Sequence, residues 1–115
     1  MATARIVSVG KDPILMASRT LLLRNAGYGV EEAYSVDKAI SLVELDSIDL
    51  TLICHTVPKS EQTLLIAAVR EKRRLMPILC IRSFAFVSVP STCISVENEP
   101  IALLNAIERA ITPQS

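Results

Sequence analysis

The chain has 115 residues and a formal net charge of zero, and half of its residues are hydrophobic but only 3% are aromatic. Nucleic-acid binding depends on basic patches and aromatic stacking platforms, so this composition gives it no support. No apolar run approaches the roughly 20 residues of a membrane span. We expect residues 1–115 to form one cytoplasmic domain, with its three cysteines reduced and free of disulfides.

The first third of the chain predicts a strand, a helix and a second strand. Arg5–Val9 is a short run rich in β-branched residues, which favours a strand. Asp12 can cap the free N–H groups of a following helix, and Pro13 suits the first helical position. The helix should stop at Gly27, after which "YGVEEA" predicts a short second strand.

The middle of the chain repeats this alternation. Ser35 is placed to cap a second helix, whose apolar residues recur with helical spacing at Val36, Ala39, Ile40 and Val43. "DLTLIC" predicts a third, buried strand. A third helix should run from about Ser60 to Leu75, with a basic last turn that suits the helix dipole. Pro77 then prevents the helix from continuing.

The last third predicts two further strands and one helix. "ILCI" indicates a fourth strand, "TCISV" a fifth, and Pro100 starts a helix. We expect one face of that helix to carry Ile101, Leu104, Ile107 and Ile111. Strands that alternate with helices indicate a parallel α/β sheet covered on both faces. The predicted fold is flavodoxin-like and doubly wound, with five strands in the order 2-1-3-4-5.

The order and spacing of five segments resemble the receiver domains of bacterial response regulators, the CheY-like superfamily. The matching segments are "RIVSV..DP", "AGYGVEEA", "DLTLI....P", "MPILCI" and "EPIALLNAIERAI". The resemblance runs from Arg5 to Ile111. It implies a role in two-component signal transduction or a phosphorelay.

The functional positions that the resemblance implies hold other residues here. Receivers carry a phosphoacceptor Asp after the third strand, an acidic pair that helps to hold Mg²⁺, a hydroxyl, a Lys and a switch aromatic. The corresponding residues are Cys54 for the acceptor, Gly10 and Lys11 for the acidic pair, Arg82 for the hydroxyl, Val96 for the Lys and Cys93 for the aromatic. Asp12 remains, and a helix cap explains it. We therefore predict a degenerate phosphoacceptor pocket with no catalytic residue, metal ion or cofactor.

Cys54 has three readings in the sequence. It can be a small buried apolar residue at a strand end. It can be a thiol activated by the cations of Lys11 and Arg82 and open to oxidation, in a pocket that also suits an anion. A zinc site with His55 and Cys80 is the third reading, and strand alternation disfavours it because neighbouring residues point to opposite faces.

The segment between the fourth and fifth strands predicts the second departure from receivers. About two helical turns are missing there, so the fourth helix of the family should be shortened or absent. Phe84 and Phe86 in "FAFVSVP" should either cover the exposed sheet or form a surface for contact with another molecule, such as the second copy in a homodimer.

The sequence therefore predicts a pseudo-receiver. It would act through protein partners and not as an enzyme, and it would bind neither nucleic acid nor membrane. A thiol or anion sensor at Cys54, Lys11 and Arg82 is one alternative, and a conventional phosphorelay receiver is the other.

Overall fold

A computed structural model gives the structure of the protein for residues 4–45, 47–82, 94–97 and 100–111, with only the backbone described for Arg82 and Ile94–Glu97. The elements in chain order are β1 (Arg5–Val9), α1 (Pro13–Asn25), β2 (Gly29–Ala33), α2 (Val36–Val43), β3 (Leu50–Ile53), α3 (Lys59–Lys72), β4 (Ile78–Arg82), β5 (Ile94–Glu97) and α4 (Pro100–Ile111). The predictions for Phe84, Phe86 and Cys93 lie outside the described residues. So does the prediction that the helix which receivers have between their fourth and fifth strands is shortened or absent here.

The strands form one parallel sheet in the order β2-β1-β3-β4-β5. Each crossover from β1 through to β4 contains a helix. The predicted flavodoxin-like α/β fold with a parallel sheet is confirmed. All the strands run the same way, so their carboxyl ends share one edge, where such folds place their ligands.

Alternate strand residues enter two separate cores. Val7, Val9 and Ile53 pack with α2 and α3 on one face of the sheet. Ile6, Leu52 and their neighbours pack with α1 and α4 on the other face. The period of two along a strand explains the division, because successive side chains point to opposite faces.

The predicted starts of α1 and α2 are confirmed by their caps. Asp12 Oδ1 accepts from the amides of Ile14 at 2.9 Å and Leu15 at 3.3 Å. Ser35 Oγ accepts from the amide of Lys38 at 3.1 Å. After α1 the chain turns at Gly27, whose φ of 99° lies in the left-handed region that glycine tolerates best.

The third helix ends at Lys72, three residues before the predicted Leu75. Arg73 leaves helical geometry and sends its guanidinium to the connection between α2 and β3. It donates to the carbonyl oxygens of Val43 at 3.2 Å, Leu45 at 3.0 Å and Ile48 at 3.1 Å. One planar side chain therefore ties the end of α3 to the entry of β3.

Of the four residues predicted to share one face of the last helix, Ile101 is exposed. This side chain is 68% exposed, and the fully buried residues of α4 are Leu103 and Ile107. Ile107 and Leu103 are one turn apart, whereas Ile101 lies in the first turn on the outer side of the helix. Pro100, which starts the helix, is also exposed.

The edge strand β2 carries two carboxylates that are tied back to the domain. Glu31 pairs with Arg5 of the neighbouring strand, and both side chains are partly exposed. Glu32 accepts a hydrogen bond from Thr20 of α1. The outer strand is thus fixed to both β1 and α1 through its acidic side chains.

The expectation of reduced cysteines is wrong for Cys80, which is disulfide-bonded, whereas Cys54 is a buried free thiol. No helix in the described ranges is long and apolar enough to cross a membrane.

Candidate functional site at the carboxyl edge of the sheet

The ends of β1 and β3 bring Gly10 and Cys54 together. Val9 and Ile53 are partners in the parallel pairing, and the amide of Cys54 donates to the carbonyl of Val9 at 2.8 Å. The amide of Gly10 donates to the carbonyl of Ala33 at 3.1 Å. Both residues therefore sit just past the strand ends, at the edge where a receiver holds its acceptor.

Cys54 contacts a cation, and that cation comes from α1. The thiol is only 1% exposed, and Arg19 is 7% exposed. Arg19 Nη1 donates to Cys54 Sγ at a distance of 3.0 Å. Cys54 continues the face of β3 that turns toward α1, which explains why a residue in the second turn of that helix can reach it.

Met16 fills the space beside Gly10. A Cβ atom built on Gly10 would stand 2.8 Å from Met16 Sδ and 3.2 Å from Cys54 Cβ. Met16 is fully buried, and its sulfur accepts from Ser8 Oγ at 3.7 Å. A methionine and a cysteine therefore occupy the volume into which an acidic side chain at position 10 would extend.

Lys11 points its charge toward α3. Its Nζ lies 2.9 Å from Glu61 Oε1, and both side chains are about one-third exposed, at 38% and 32%. Its amide donates to Thr56 Oγ1 at 3.0 Å. The alternative in which Lys11 activates Cys54 is not what the described contacts support, because Glu61 pairs with the ammonium group.

Asp12 serves as the cap of α1, as the sequence predicted. The same loop edge includes Tyr34, which follows β2. Partial desolvation, followed by the nearby carboxylates of Glu32 and Asp12, raises the pKa of Tyr34 above 10.0. Negative charge at this end of β2 thus disfavours the phenolate.

The other predicted site residues are placed only in part. The backbones of Arg82 and Val96 lie in β4 and β5, where Ile81 pairs with Val96. His55 is partly exposed in the turn after Cys54. Cys80 belongs to the core on the α2 and α3 side of the sheet, away from the α1 side on which Cys54 lies.

The residues at this edge do not fit the Mg²⁺ ion that receivers use. Mg²⁺ prefers oxygen ligands in octahedral geometry. Gly10 has no side chain, Lys11 repels a cation, and Cys54 offers soft sulfur. The carboxylate of Asp12 is engaged with two helix amides. Within the described part of the chain, no three His, Cys, Asp or Glu side chains gather in a way that could hold a metal ion.

Sequence reasoning missed Arg19 and Met16, although a signal was present. Met16, Thr20 and Leu23 lie on the buried face of α1 at helical spacing, and Arg19 lies on the same face. An arginine within a buried helical stripe needs polar partners inside the fold. That pattern could have directed attention to Arg19 before Lys11.

Solved structures with the same backbone arrangement identify the fold. A CheY-like response regulator receiver domain protein from Methanospirillum hungatei JF-1 matches with a TM-score of 0.78 and 22% identity over 95% of this chain and 94% of that chain. The chain has the receiver-domain fold. Chemotaxis protein CheY4 of Vibrio cholerae matches with a TM-score of 0.79 and 20% identity over 95% of this chain and 99% of that chain.

A third receiver domain extends the likeness to another bacterium. The response regulator receiver domain protein from Clostridium thermocellum matches with a TM-score of 0.82 and 17% identity over 94% of each chain. At these identities the likeness is one of receiver fold. No protein-family model and no curated protein sequence matches the chain.

Proposed function

We propose that this chain is a receiver-like signalling module that acts through protein contacts without phosphorylation of an aspartate. The observation that carries the proposal is the contact of Cys54 with Arg19 at the edge where receivers hold their acceptor. A buried thiol and a guanidinium stand there in place of a carboxylate and a metal ion. The proposed module has no enzymatic activity and no cofactor, and its proposed location is the cytoplasm.

The chemistry of phosphoryl transfer supports this proposal. The reaction depends on positioning and on cations that neutralise the charge of the transferred group. A stable aspartyl phosphate also needs a carboxylate acceptor. Cys54 supplies no carboxylate, and Gly10 and Lys11 supply no ligand that would bring Mg²⁺ to it.

The test is incubation of the full chain with acetyl phosphate, or with beryllofluoride, in the presence of Mg²⁺. We expect no change of intact mass and no shift of the backbone amide signals. The Cys54→Asp variant should also stay unmodified, because Gly10 and Lys11 would still hold no metal ion. A Mg²⁺-dependent phosphoryl adduct on the wild-type chain would contradict the proposal.

The proposed partner is another protein, or a second copy of the chain. Phe84 and Phe86 are the residues we propose for this contact or for covering the sheet. Replacing both by Ser should lower the melting temperature or dissociate a dimer. A double variant with the melting temperature and the solution mass of the wild type would refute this part of the proposal.

A thiol sensor is the second candidate function, and the contact between Arg19 and Cys54 is the observation that favours it. Reactive cysteines commonly lie beside cations in partially exposed surroundings. The burial of Cys54 opposes it, because a reagent must reach the sulfur. We expect slow modification of native Cys54 by a thiol reagent at neutral pH, read by the mass of the peptide that contains it. Modification as fast as that of an exposed thiol would favour the sensor.

A further inference from the structure

Arg19 lies on the buried face of α1. It shares the inner face of the helix with Met16, Thr20 and Leu23, and it is 7% exposed. A guanidinium in such a position is costly unless hydrogen bonds and charge compensate for the lost water. Its contact with Cys54 at 3.0 Å shows where part of this compensation comes from.

The guanidinium lies at the place where the ends of two central strands meet. Gly10 directly follows β1 and Cys54 directly follows β3, and the two residues are so close that a Cβ on Gly10 would stand 3.2 Å from Cys54 Cβ. Met16 fills the remaining space beside them. Side chains from α1 therefore occupy the edge between β1 and β3.

We infer that Arg19 is a built-in positioning residue whose guanidinium, supplied from within the chain, lies at the edge where a receiver binds a divalent ion. It holds the ends of β1 and β3 in one arrangement that needs neither an external cation nor a phosphoryl group. This inference rests on the proposed phosphorylation-independent function and names the device that fixes the state of the same edge.

A cleft on the surface lies beside Arg19. A depression of about 240 Å³ lies between α1 and the start of α4, and Leu15, Ser18, Arg19, Leu22 and Pro100 line it. Arg19 lines this cleft and also contacts Cys54 Sγ, so its side chain extends from the cleft to the thiol. Shortening that side chain should connect Cys54 with solvent through the cleft.

The experiment uses the full chain with Arg19→Ala, and Arg24→Ala as the matched control. Arg24 lies on the same helix but is exposed, and its Nη2 donates to the carbonyl of Val30 at 3.3 Å. Loss of a hydrogen bond to a charged group shifts an opening equilibrium by about tenfold or more. We therefore expect Arg19→Ala to raise the rate of Cys54 modification by about tenfold or more, and Arg24→Ala to leave it near the wild-type rate.

Chemical rescue distinguishes a cation from simple filling of space. Methylguanidinium carries the charge and the fork of Arg, whereas methylurea has a similar shape without charge. Millimolar methylguanidinium should slow Cys54 modification in Arg19→Ala and raise its melting temperature, and methylurea and Mg²⁺ at the same concentration should do neither. Equal rescue by methylurea, or wild-type modification of Arg19→Ala without any addition, would overturn the inference.

A variant that keeps the bulk of the side chain covers the case in which Arg19→Ala does not fold. A double-mutant cycle of unfolding free energies can be built from Arg19→Met, Cys54→Ala and the variant that combines them. We expect the two changes to be coupled by about tenfold in the unfolding equilibrium constant, and strict additivity would overturn the inference. A phosphoryl adduct on the wild-type chain would instead contradict the proposed function, whatever the Arg19 variants do.

Discussion

The space beside Gly10 is the feature of the site that a single methyl group can probe. Gly10→Ala adds a Cβ that would stand 2.8 Å from Met16 Sδ and 3.2 Å from Cys54 Cβ. Ordinary contacts between such atoms are longer than about 3.5 Å, so a neighbour has to move. Met16 is flexible but fully buried, and its movement disturbs the packing around it.

The expected cost follows from two opposing effects. Overpacking a buried site costs about 1–3 kcal/mol. Replacing Gly by Ala restricts the unfolded chain and returns about 0.4–1 kcal/mol where the backbone is compatible. Gly10 is not among the residues with a positive φ, so that return applies. Gly10→Ala should therefore lower the free energy of unfolding by about 1.3 kcal/mol, within a combined range of about 0–2.6 kcal/mol.

Urea unfolding followed by circular dichroism measures this change, with Gly29→Ala as the control. A Cβ on Gly29 would stand 3.1 Å from Cγ of Arg5, which belongs to a partly exposed side chain that can adjust. Adding Met16→Ala to Gly10→Ala should remove the steric part, so the two changes should cost less together than the sum of their separate costs. A Gly10→Ala protein as stable as Gly29→Ala would refute the view that Met16 and Cys54 fill this site.

Other elements give three further predictions, each with its own measurement. Arg73→Met should lower the free energy of unfolding in urea by about 2 kcal/mol, because hydrogen bonds from a charged group to backbone carbonyls are lost. The control Arg74→Met changes an exposed neighbour and should shift that free energy by no more than about 0.5 kcal/mol. Equal costs of the two changes would contradict the role of Arg73. Burial raises the pKa of Tyr28 above 10.0, so the stability from its phenol is complete below pH 10 and is lost as the pH rises through the folded-state pKa. Tyr28→Phe should therefore reduce the loss of stability between about pH 9 and about pH 11, and an unchanged slope would contradict this. Ile107→Ala should lower the free energy of unfolding by about 2–5 kcal/mol, because the side chain is buried. Ile101→Ser should lower it by less than about 0.5 kcal/mol, because the side chain is exposed. The reverse order in thermal or urea unfolding would show that the outer face of α4 is covered.

The fold could be predicted from local signals because each signal has a local cause. Asp12 and Ser35 cap helices by accepting hydrogen bonds from amides two or three residues away. Gly27 adopts the left-handed geometry that the turn after α1 requires. Such interactions depend on neighbours in sequence. The alternation of strands and helices then leaves the parallel sheet as the arrangement that buries both of its faces.

The site was harder to predict because its contacts span large distances in sequence. The resemblance to receivers assigned Lys11 to the pocket of Cys54, but Glu61 of α3 holds that ammonium group at 2.9 Å. Arg19 reaches Cys54 across 35 positions, and the length of its side chain decides the contact. The contacts of Arg73 also escape local patterns, since the carbonyls that it binds precede it by 25 to 30 positions.

The acidic side chains of β2 also affect how molecules of this protein can meet. The strand order leaves β2 at one edge of the sheet, where unpaired backbone groups can recruit a strand from another molecule and start aggregation. Glu31 and Glu32 bring carboxylates to a strand of only five residues, and Arg5 and Thr20 hold them in place. An incoming strand would have to bring its own side chains against these acids, so sheet extension at this edge is disfavoured. Self-association of the protein should therefore proceed through surfaces other than the β2 edge.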